Sequence, residues 1–196
     1  MKILAFCDIH GSMAALKAVK DKAKDADIIL CLGDMTIFEQ GLSKILSELD
    51  KIGKPVLVLP GNHEDAWRLK KVTDKSKNLY FMDGGIFETD ELTILGAEGN
   101  GFSLKDKAFE ELGKRFEKMM EKGKRYVLMT HAPPYDTKLD KLMEGHCGNK
   151  AIRDFILRTK PECAFSGHIH DNFGAKDKLG KTLLYNPGPK GMLIRC

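Results

Sequence analysis

The chain has 196 residues, of which 42% are hydrophobic and 31% charged, and its formal net charge is +4. This composition excludes a disordered or fibrous protein. At about 150 residues per domain, the length predicts one domain spanning residues 1–196. The sequence pI near 8.7 is lower than the values above about 9 that are typical of dedicated nucleic-acid-binding proteins. We therefore expect no stable binding to nucleic acid.

The sequence also lacks the features of membrane and secreted proteins. No apolar run reaches the roughly 18 residues that a membrane span needs. The N-terminal run meets Asp8 before the apolar part of a signal peptide is complete. The five cysteines contain no C-x-x-C pair, which is typical of reduced thiols, and Cys7, Cys31 and Cys163 are expected in the core. We expect a cytoplasmic protein that does not contact membranes.

From the N-terminus onward, short apolar runs alternate with amphipathic segments, as in proteins whose helices cover a largely parallel sheet. The run KILAFC predicts a strand, and Ser12 is expected to cap a helix that continues to about Lys24. DIILCL predicts a second strand, which precedes a helix that ends at Gly53. PVLVL predicts a third strand.

The middle of the chain predicts a polar helix over about residues 64–75 and then more strands. The runs LYFM and IFET flank Asp83-Gly84-Gly85, and this arrangement predicts a hairpin. LTILG predicts a further strand. The sheet is therefore expected to be partly antiparallel.

The second half of the chain repeats the alternation of helix and strand. An apolar stripe over residues 109–120 predicts a helix that ends near Gly123, and RYVLMT predicts the strand after it. Asn149 is expected to cap a helix that stops before Pro161. ECAFS, TLLYN and GMLIR are predicted as closing strands, so the fold class is α/β.

Side chains of the kinds that bind metals follow five of these predicted strands. The turns contain Asp8, His10, Asp34, Asn62, His63, Glu64, His131, His168 and His170. Because ligands of open α/β sheets bind beyond the carboxyl ends of the strands, turns distant in sequence can converge there. A single Asp after a strand is more often a helix cap. Five such turns together favour a metal site.

The residue types also indicate the kind of metal. Asp, Asn and His without Cys suit Mn, Fe, Co, Ni or Zn. Seven candidate ligands, one of them a bridging carboxylate, are enough for two ions about 3.5 to 4 Å apart. We expect two divalent transition-metal ions, with Mn favoured. Such a pair favours attack on the phosphorus of a small phosphate ester, nucleotides included.

The order of these motifs resembles that of the calcineurin-like metallophosphoesterase superfamily. The resemblance runs from Asp8 to His170 and continues in an Asn186-Pro187-Gly188 turn. It implies a four-layer αββα sandwich of two mixed β-sheets flanked by helices. The Arg that follows the G-D motif in phosphoprotein phosphatases is missing after Asp34. The sequence is therefore more similar to the small single-domain phosphodiesterases of bacteria and archaea.

The resemblance implies a role for each site residue. One metal would be held by Asp8, His10 and His170, the other by Asn62, His131 and His168, with Asp34 bridging the two. His63 matches the position of the catalytic histidine. By this resemblance, a hydroxide between the metals attacks phosphorus while protonated His63 donates to the leaving oxygen. Glu64 is a weaker candidate for orienting His63.

Phosphodiester hydrolysis is the first interpretation, and others stay open. A phosphomonoesterase acting on a small metabolite or nucleotide would carry the same ligands. A non-catalytic scaffold with this fold is disfavoured because the ligands and His63 are intact. A nucleic-acid-binding module would bind with a steep salt dependence and would need no metal.

The loops around Phe38, residues 99–102 and His146 are expected to shape the substrate pocket. The backbone amides at Gly148 and Asn149 are a candidate anion site at a helix start. Trp67 is a candidate for stacking on a substrate ring, although packing within the protein is the more frequent role of a tryptophan.

Overall fold

The computed structural model describes residues 1–99 and 103–196. Its strands are β1 (Lys2–Phe6), β2 (Ile28–Cys31), β3 (Val56–Val58), β4 (Leu79–Phe81), β5 (Ile86–Glu88), β6 (Thr93–Ala97), β7 (Tyr126–Thr130), β8 (Lys141–Leu142), β9 (Gly145–His146), β10 (Cys163–Phe165), β11 (Lys176–Leu179), β12 (Thr182–Tyr185) and β13 (Met192–Arg195). Its α-helices are α1 (Met13–Ala23), α2 (Leu42–Asp50), α3 (Ala66–Thr73), α4 (Lys107–Met119) and α5 (Lys150–Thr159).

The two larger sheets are both mixed. The first has the order β13-β1-β2-β3-β4, in which β1 to β4 are parallel and β13 is antiparallel to β1. The second has the order β11-β12-β10-β7-β6-β5, with parallel central strands and antiparallel edges. The short strands β8 and β9 form a separate hairpin.

Three apolar layers hold the sheets and helices together. Alternate residues of β1 face different layers: Leu4 packs in the layer beneath α1 and α2, whereas Ile3 packs in the layer between the sheets. Val127 and Phe165 of the second sheet share that middle layer. Leu128 faces the third layer, beneath α4 and α5. The result is the expected α/β arrangement of two mixed sheets flanked by helices.

The predicted helix starts at Ser12 and Asn149 are confirmed. The Ser12 side chain accepts a hydrogen bond from Ala15 N, and the Asn149 side chain accepts one from Ile152 N. These bonds satisfy amides that have no partner within the first helical turn. Among the residues that the structure describes, no helix combines the length and apolarity that crossing a bilayer requires.

The predicted hairpin between LYFM and IFET is wrong. The turn forms, since Gly85 N donates to Met82 O at 2.9 Å, but its two flanking strands belong to different sheets. Strand β4 pairs with β3, and β5 pairs with β6. A turn motif determines only that the chain reverses locally. Which strand each arm joins depends on the apolar layers of both sheets.

The sequence analysis also missed β11, whose sequence KDKL lacks the apolar residues of a buried strand. It pairs antiparallel with β12 at the edge of the second sheet. Lysines are common on edge strands because their charge opposes pairing with other chains. The strand depends on backbone pairing with β12 more than on burial of its own side chains.

Candidate metal centre

The site residues predicted from the sequence lie together in the structure. They follow the carboxyl ends of β1, β2 and β3 in the first sheet and of β7 and β10 in the second. His170 begins a short 3₁₀ turn, His170–Asn172, beyond β10. The turns from both sheets therefore meet at one edge of the sandwich.

Their ligand atoms form three overlapping groups, in each of which the atoms lie within 4.8 Å of one another. The groups are Asp8, His10 and His170; His10, Asp34 and His63; and Asp34, His131 and His168. Asn62 adjoins the third group, because its Oδ1 lies 3.1 Å from His131 Nε2. The structure thus brings together all seven candidate ligands and His63.

Asp34 lies between the two outer groups. Its Oδ2 is 3.9 Å from His10 Nε2 on one side and 3.6 Å from His131 Nε2 on the other. The Asp34 side chain is buried, as is that of Asp8. A carboxylate in this position has the geometry required of a ligand that bridges two cations.

The donor set fits two divalent cations. His10 Nε2 lies 3.1 Å from His170 Nε2, and His131 Nε2 lies 3.2 Å from His168 Nδ1. Asp8 Oδ1 is buried and accepts no hydrogen bond from the residues that the structure describes. A buried carboxylate oxygen without a donor costs free energy. A cation coordinated by these atoms would remove that cost.

Backbone groups orient the histidine rings. His131 Nδ1 lies 2.8 Å from the carbonyl oxygen of Leu32, and His10 Nδ1 lies 3.2 Å from that of Thr36. A carbonyl only accepts, so each Nδ1 donates, and in the neutral ring each Nε2 then presents a lone pair to the centre. Burial, followed by the effect of His131, lowers the pKa of His168 to about 4. His168 is therefore neutral at pH 7, as a metal ligand must be.

His63 is oriented in the opposite sense. Its Nδ1 faces the backbone N–H of Phe38 at 3.4 Å, and its ring lies edge-on to the ring of His10 at 5.1 Å. An N–H only donates, so the Nδ1 of His63 accepts and its Nε2 carries the proton. In this tautomer Nε2 presents an N–H rather than a lone pair, which suits a hydrogen bond to a substrate oxygen and not metal ligation.

Four of the candidate ligands have left-handed backbone conformations. The φ angles are 54° at Asp8, 43° at His10, 52° at Asp34 and 69° at His168. Residues other than glycine seldom adopt this region, and such strain concentrates at functional sites. The sequence contains no signal for it.

Two glycines allow the turns to approach the carboxylates closely. A Cβ at position 61 would lie 2.1 Å from Asp34 Oδ1, and a Cβ at position 167 would lie 2.6 Å from Asp8 Oδ2. Two non-bonded atoms cannot approach each other this closely. Gly61 and Gly167 are therefore required beside Asp34 and Asp8 for steric reasons.

The suggested role of Glu64 in orienting His63 is wrong. The buried Glu64 carboxylate instead accepts hydrogen bonds from the backbone N–H groups of Asp34, Thr36 and Gly61, and from the Thr36 hydroxyl. Glu64 thereby joins the turn after β2 to the turn after β3. This function was not predicted, because the partners of Glu64 lie up to 30 residues away in the sequence.

The suggested anion site at Gly148 and Asn149 is also wrong. Gly148 N donates to Asp140 Oδ2 at 2.8 Å, and Asn149 N donates to the carbonyl of Pro133. His146 Nδ1 lies 2.8 Å from Asp140 Oδ1. The buried Asp140 carboxylate takes the place that a bound anion would have had.

A cavity of about 350 Å³ adjoins Asn62 and His131. Three acidic side chains, those of Asp83, Glu98 and Asp106, contribute to its lining. Burial, and after it the charge of Asp83, raises the pKa of Glu98 to about 7. Of the loop predicted to shape the pocket at 99–102, residues 100–102 lie outside the described residues.

Trp67, the candidate for stacking on a substrate ring, lies on α3 and is 70% exposed. It lines a groove between α2 and α3 together with Leu46, and Lys71 Nζ lies 4.8 Å from the centre of its ring. Trp67 therefore contacts residues on the surface of α2 and α3.

Comparison with known proteins agrees with this geometry. Residues 1–172 match the family model for calcineurin-like phosphoesterases. The chain is 30% identical over 206 aligned residues to the uncharacterized protein MJ1162 of Methanocaldococcus jannaschii, and the alignment covers 99% of this chain and 91% of that protein.

Solved structures share the fold at low sequence identity. A dimetal phosphatase from Danio rerio superimposes with a TM-score of 0.68 at 12% identity, covering 94% of this chain and 86% of that one. An archaeal phosphodiesterase superimposes with a TM-score of 0.52 at 14% identity, covering 96% and 84%. Because the family model matches residues 1–172, most of the chain, this protein belongs to the calcineurin-like phosphoesterase family.

Proposed function

We propose that this protein hydrolyses small phosphate diesters with two divalent ions, Mn²⁺ favoured, in a single domain over residues 1–196. The observation that carries the proposal is the position of Asp34, whose Oδ2 lies within 4 Å of a histidine nitrogen from each outer group. Family membership supports the more general activity, metal-dependent hydrolysis of phosphoesters.

Each side chain has a defined part in the proposed reaction. Asp8, His10 and His170 would hold one ion, Asn62, His131 and His168 the other, and Asp34 would bridge them. Bound there, the ions would activate water and offset charge on the phosphoryl oxygens. His63 in its protonated form would donate its Nε2 proton to the leaving oxygen and become neutral. Glu64 would hold Asp34 and Asn62 in register by fixing the two turns that carry them.

The acidic cavity beside Asn62 and His131 supports a diester over a monoester. The second pKa of a phosphate monoester is near 6, so a monoester carries close to two negative charges at neutral pH, whereas a diester carries one. Asp83 and Asp106, together with Glu98 in the fraction that is ionised, raise the electrostatic cost of bringing negative charge to that side of the site. The cost is smaller for the diester. A phosphodiesterase among the structural neighbours agrees with this preference.

A phosphomonoesterase is the second candidate, because a dimetal phosphatase is also among the structural neighbours. Both activities would use the same ligands, so the substrate assay must compare them directly.

The proposal is tested with metal-stripped protein assayed on bis-p-nitrophenyl phosphate and p-nitrophenyl phosphate, with and without Mn²⁺, Ni²⁺ or Mg²⁺. We expect metal-dependent hydrolysis that is faster for the diester. Asp34→Asn should abolish it and lower the metal content, because one bridging carboxylate serves both ions. Asp21→Asn, on the exposed face of α1, is the matched control and should retain activity.

Each alternative has its own result. A preference for the monoester would replace the diesterase by the phosphatase. Metal binding without cleavage of either ester would favour the scaffold. Unchanged metal content in Asp34→Asn would contradict bridging by this carboxylate.

A further inference from the structure

Five aromatic rings form a continuous row across the site. Adjacent ring centres are separated by 4.8 Å, 5.1 Å, 5.0 Å and 4.9 Å. In order, the rings are those of Phe38, His63, His10, His170 and Phe173. The three inner rings belong to the candidate metal centre, and Phe38 extends the row beyond His63.

Phe38 is held in a strained backbone conformation. Its φ angle is 47° and that of Glu39 is 61°, both in the left-handed region. A bulky aromatic residue in this region is an outlier, and it persists only where surrounding contacts determine the backbone.

Contacts on both sides of Phe38 supply that constraint. On one side, Thr36 Oγ1 donates to Glu64 and accepts from Glu39 N. On the other, the Glu39 carboxylate accepts from Asp65 N and pairs with Arg68. The loop is thereby fixed to the residues that directly follow His63, so Phe38 and His63 keep their relative position.

The ring of Phe38 is nevertheless open to solvent. The residue is 74% exposed, and the neighbouring Ile37 is 47% exposed. Leaving an aromatic ring in water forgoes the favourable free energy of burying it. A ring that is exposed, positioned by strained backbone and in contact with a proposed catalytic side chain is suited to contact a substrate.

The chemistry of His63 indicates which part of the substrate would lie there. If His63 protonates the leaving oxygen, the group attached to that oxygen must lie next to the His63 ring. Phe38 borders the same ring at 4.8 Å. The leaving group, rather than the group that stays on phosphorus, is therefore the part that Phe38 can reach.

We propose that Phe38, with Ile37 beside it, is a specificity-determining residue whose ring packs against the leaving group. The enzyme would then prefer diesters whose leaving group carries a flat aromatic ring, such as an aryl ester or one bearing a nucleobase. This inference rests on the proposed phosphodiesterase function and on His63 as its proton donor.

The test compares two diesters that differ only in the leaving group: methyl phenyl phosphate and methyl hexafluoroisopropyl phosphate. Phenol and hexafluoroisopropanol have similar acidity, but only phenol is flat and aromatic. Phe38→Ala should lower kcat/KM for the phenyl ester roughly two- to twelve-fold, as expected for loss of one aromatic contact. Its kcat/KM for the fluoroalkyl ester should stay close to the wild-type value. Phe38→Tyr should retain the preference for the phenyl ester.

Trp67→Ala is the matched control, since it also removes an exposed aromatic ring, but one on the surface of α3. It should leave both rates unchanged. Equal losses on the two esters in Phe38→Ala, or no loss on either, would overturn the role of Phe38 while the hydrolase function stands. Absence of metal-dependent turnover of both esters by the wild-type protein would overturn the inference together with the proposed function.

Discussion

At the scale of single residues, the backbone partner of each histidine separates the candidate ligands from the candidate acid. His10 and His131 direct Nδ1 at carbonyl oxygens, and their Nε2 atoms face the centre with a lone pair. His63 directs Nδ1 at the N–H of Phe38, and its Nε2 carries a proton. The backbone group that contacts Nδ1 thus determines whether Nε2 of each histidine carries a proton or a lone pair.

His63→Ala should therefore slow hydrolysis according to the leaving group. We expect kcat/KM to fall roughly 10²- to 10⁴-fold for an alkoxide leaving group, which needs a proton. The loss should be much smaller for p-nitrophenolate, which is stable as an anion. The difference is measured by comparing kcat/KM for two methyl phosphate diesters, one with an alkoxide leaving group and one with p-nitrophenolate. His146→Ala, which removes a histidine bound to Asp140, should show no such dependence; equal losses for both esters in His63→Ala would disprove proton donation.

At the scale of elements, the turns after β2 and β3 form one unit. Glu64 accepts hydrogen bonds from Asp34, Thr36 and Gly61, and the His63 backbone N–H donates to Asp34 Oδ1 at 3.0 Å. The absence of a Cβ at Gly61 lets the two turns meet. The position of Asp34 therefore depends on the turn after the neighbouring strand as well as on its own.

Glu64→Gln should weaken metal binding although Glu64 is not a ligand. The amide has one acceptor oxygen, and its NH₂ group would face backbone donors that the carboxylate now satisfies. Loss of such an outer contact typically costs 10- to 100-fold in metal affinity. Calorimetric titration of the metal-stripped protein with Mn²⁺ measures the change. Glu48→Gln, between the lysines at positions 20 and 51, is the surface control; equal affinities in the two variants would contradict this role.

At the scale of the whole molecule, the candidate centre joins the two sheets. Asp8, Asp34 and Asn62 follow strands of the first sheet, whereas His131 and His168 follow strands of the second. Elsewhere the sheets meet through an apolar layer that includes Leu30 and Phe165. Metal ions bound at the edge would add polar links between the same two sheets.

Metal binding should accordingly stabilise the whole fold. For each bound ion, a free metal concentration 100 times its Kd should raise the free energy of unfolding by about 2.7 kcal/mol. For a chain of this size, each such increment corresponds to an increase in Tm of roughly 5 to 10 °C. Thermal unfolding of metal-stripped protein with and without Mn²⁺ measures the shift, and a chelator should reverse it. Asp34→Asn should show little shift; no shift in the wild-type protein would disprove binding to the folded state.

Features that depend only on neighbouring residues could be predicted from the sequence. An apolar run predicts a buried strand because the signal lies within the run itself. Ser12 and Asn149 predict helix starts because a capping side chain bonds to the amide three residues later. The candidate ligands were recognised because each follows a predicted strand. Their order along the chain identified the family that the comparisons then showed.

Contacts between groups distant in sequence depend on how the folded chain packs. The runs around Asp83 join different sheets because strand pairing follows the apolar layers and not the turn. Glu64 bonds to Asp34 and Thr36, and Phe38 borders His63, across separations of 25 to 30 residues. Such contacts form only when whole elements pack against each other. Their geometry depends jointly on burial, hydrogen bonding and backbone strain. Local sequence patterns contain none of that information.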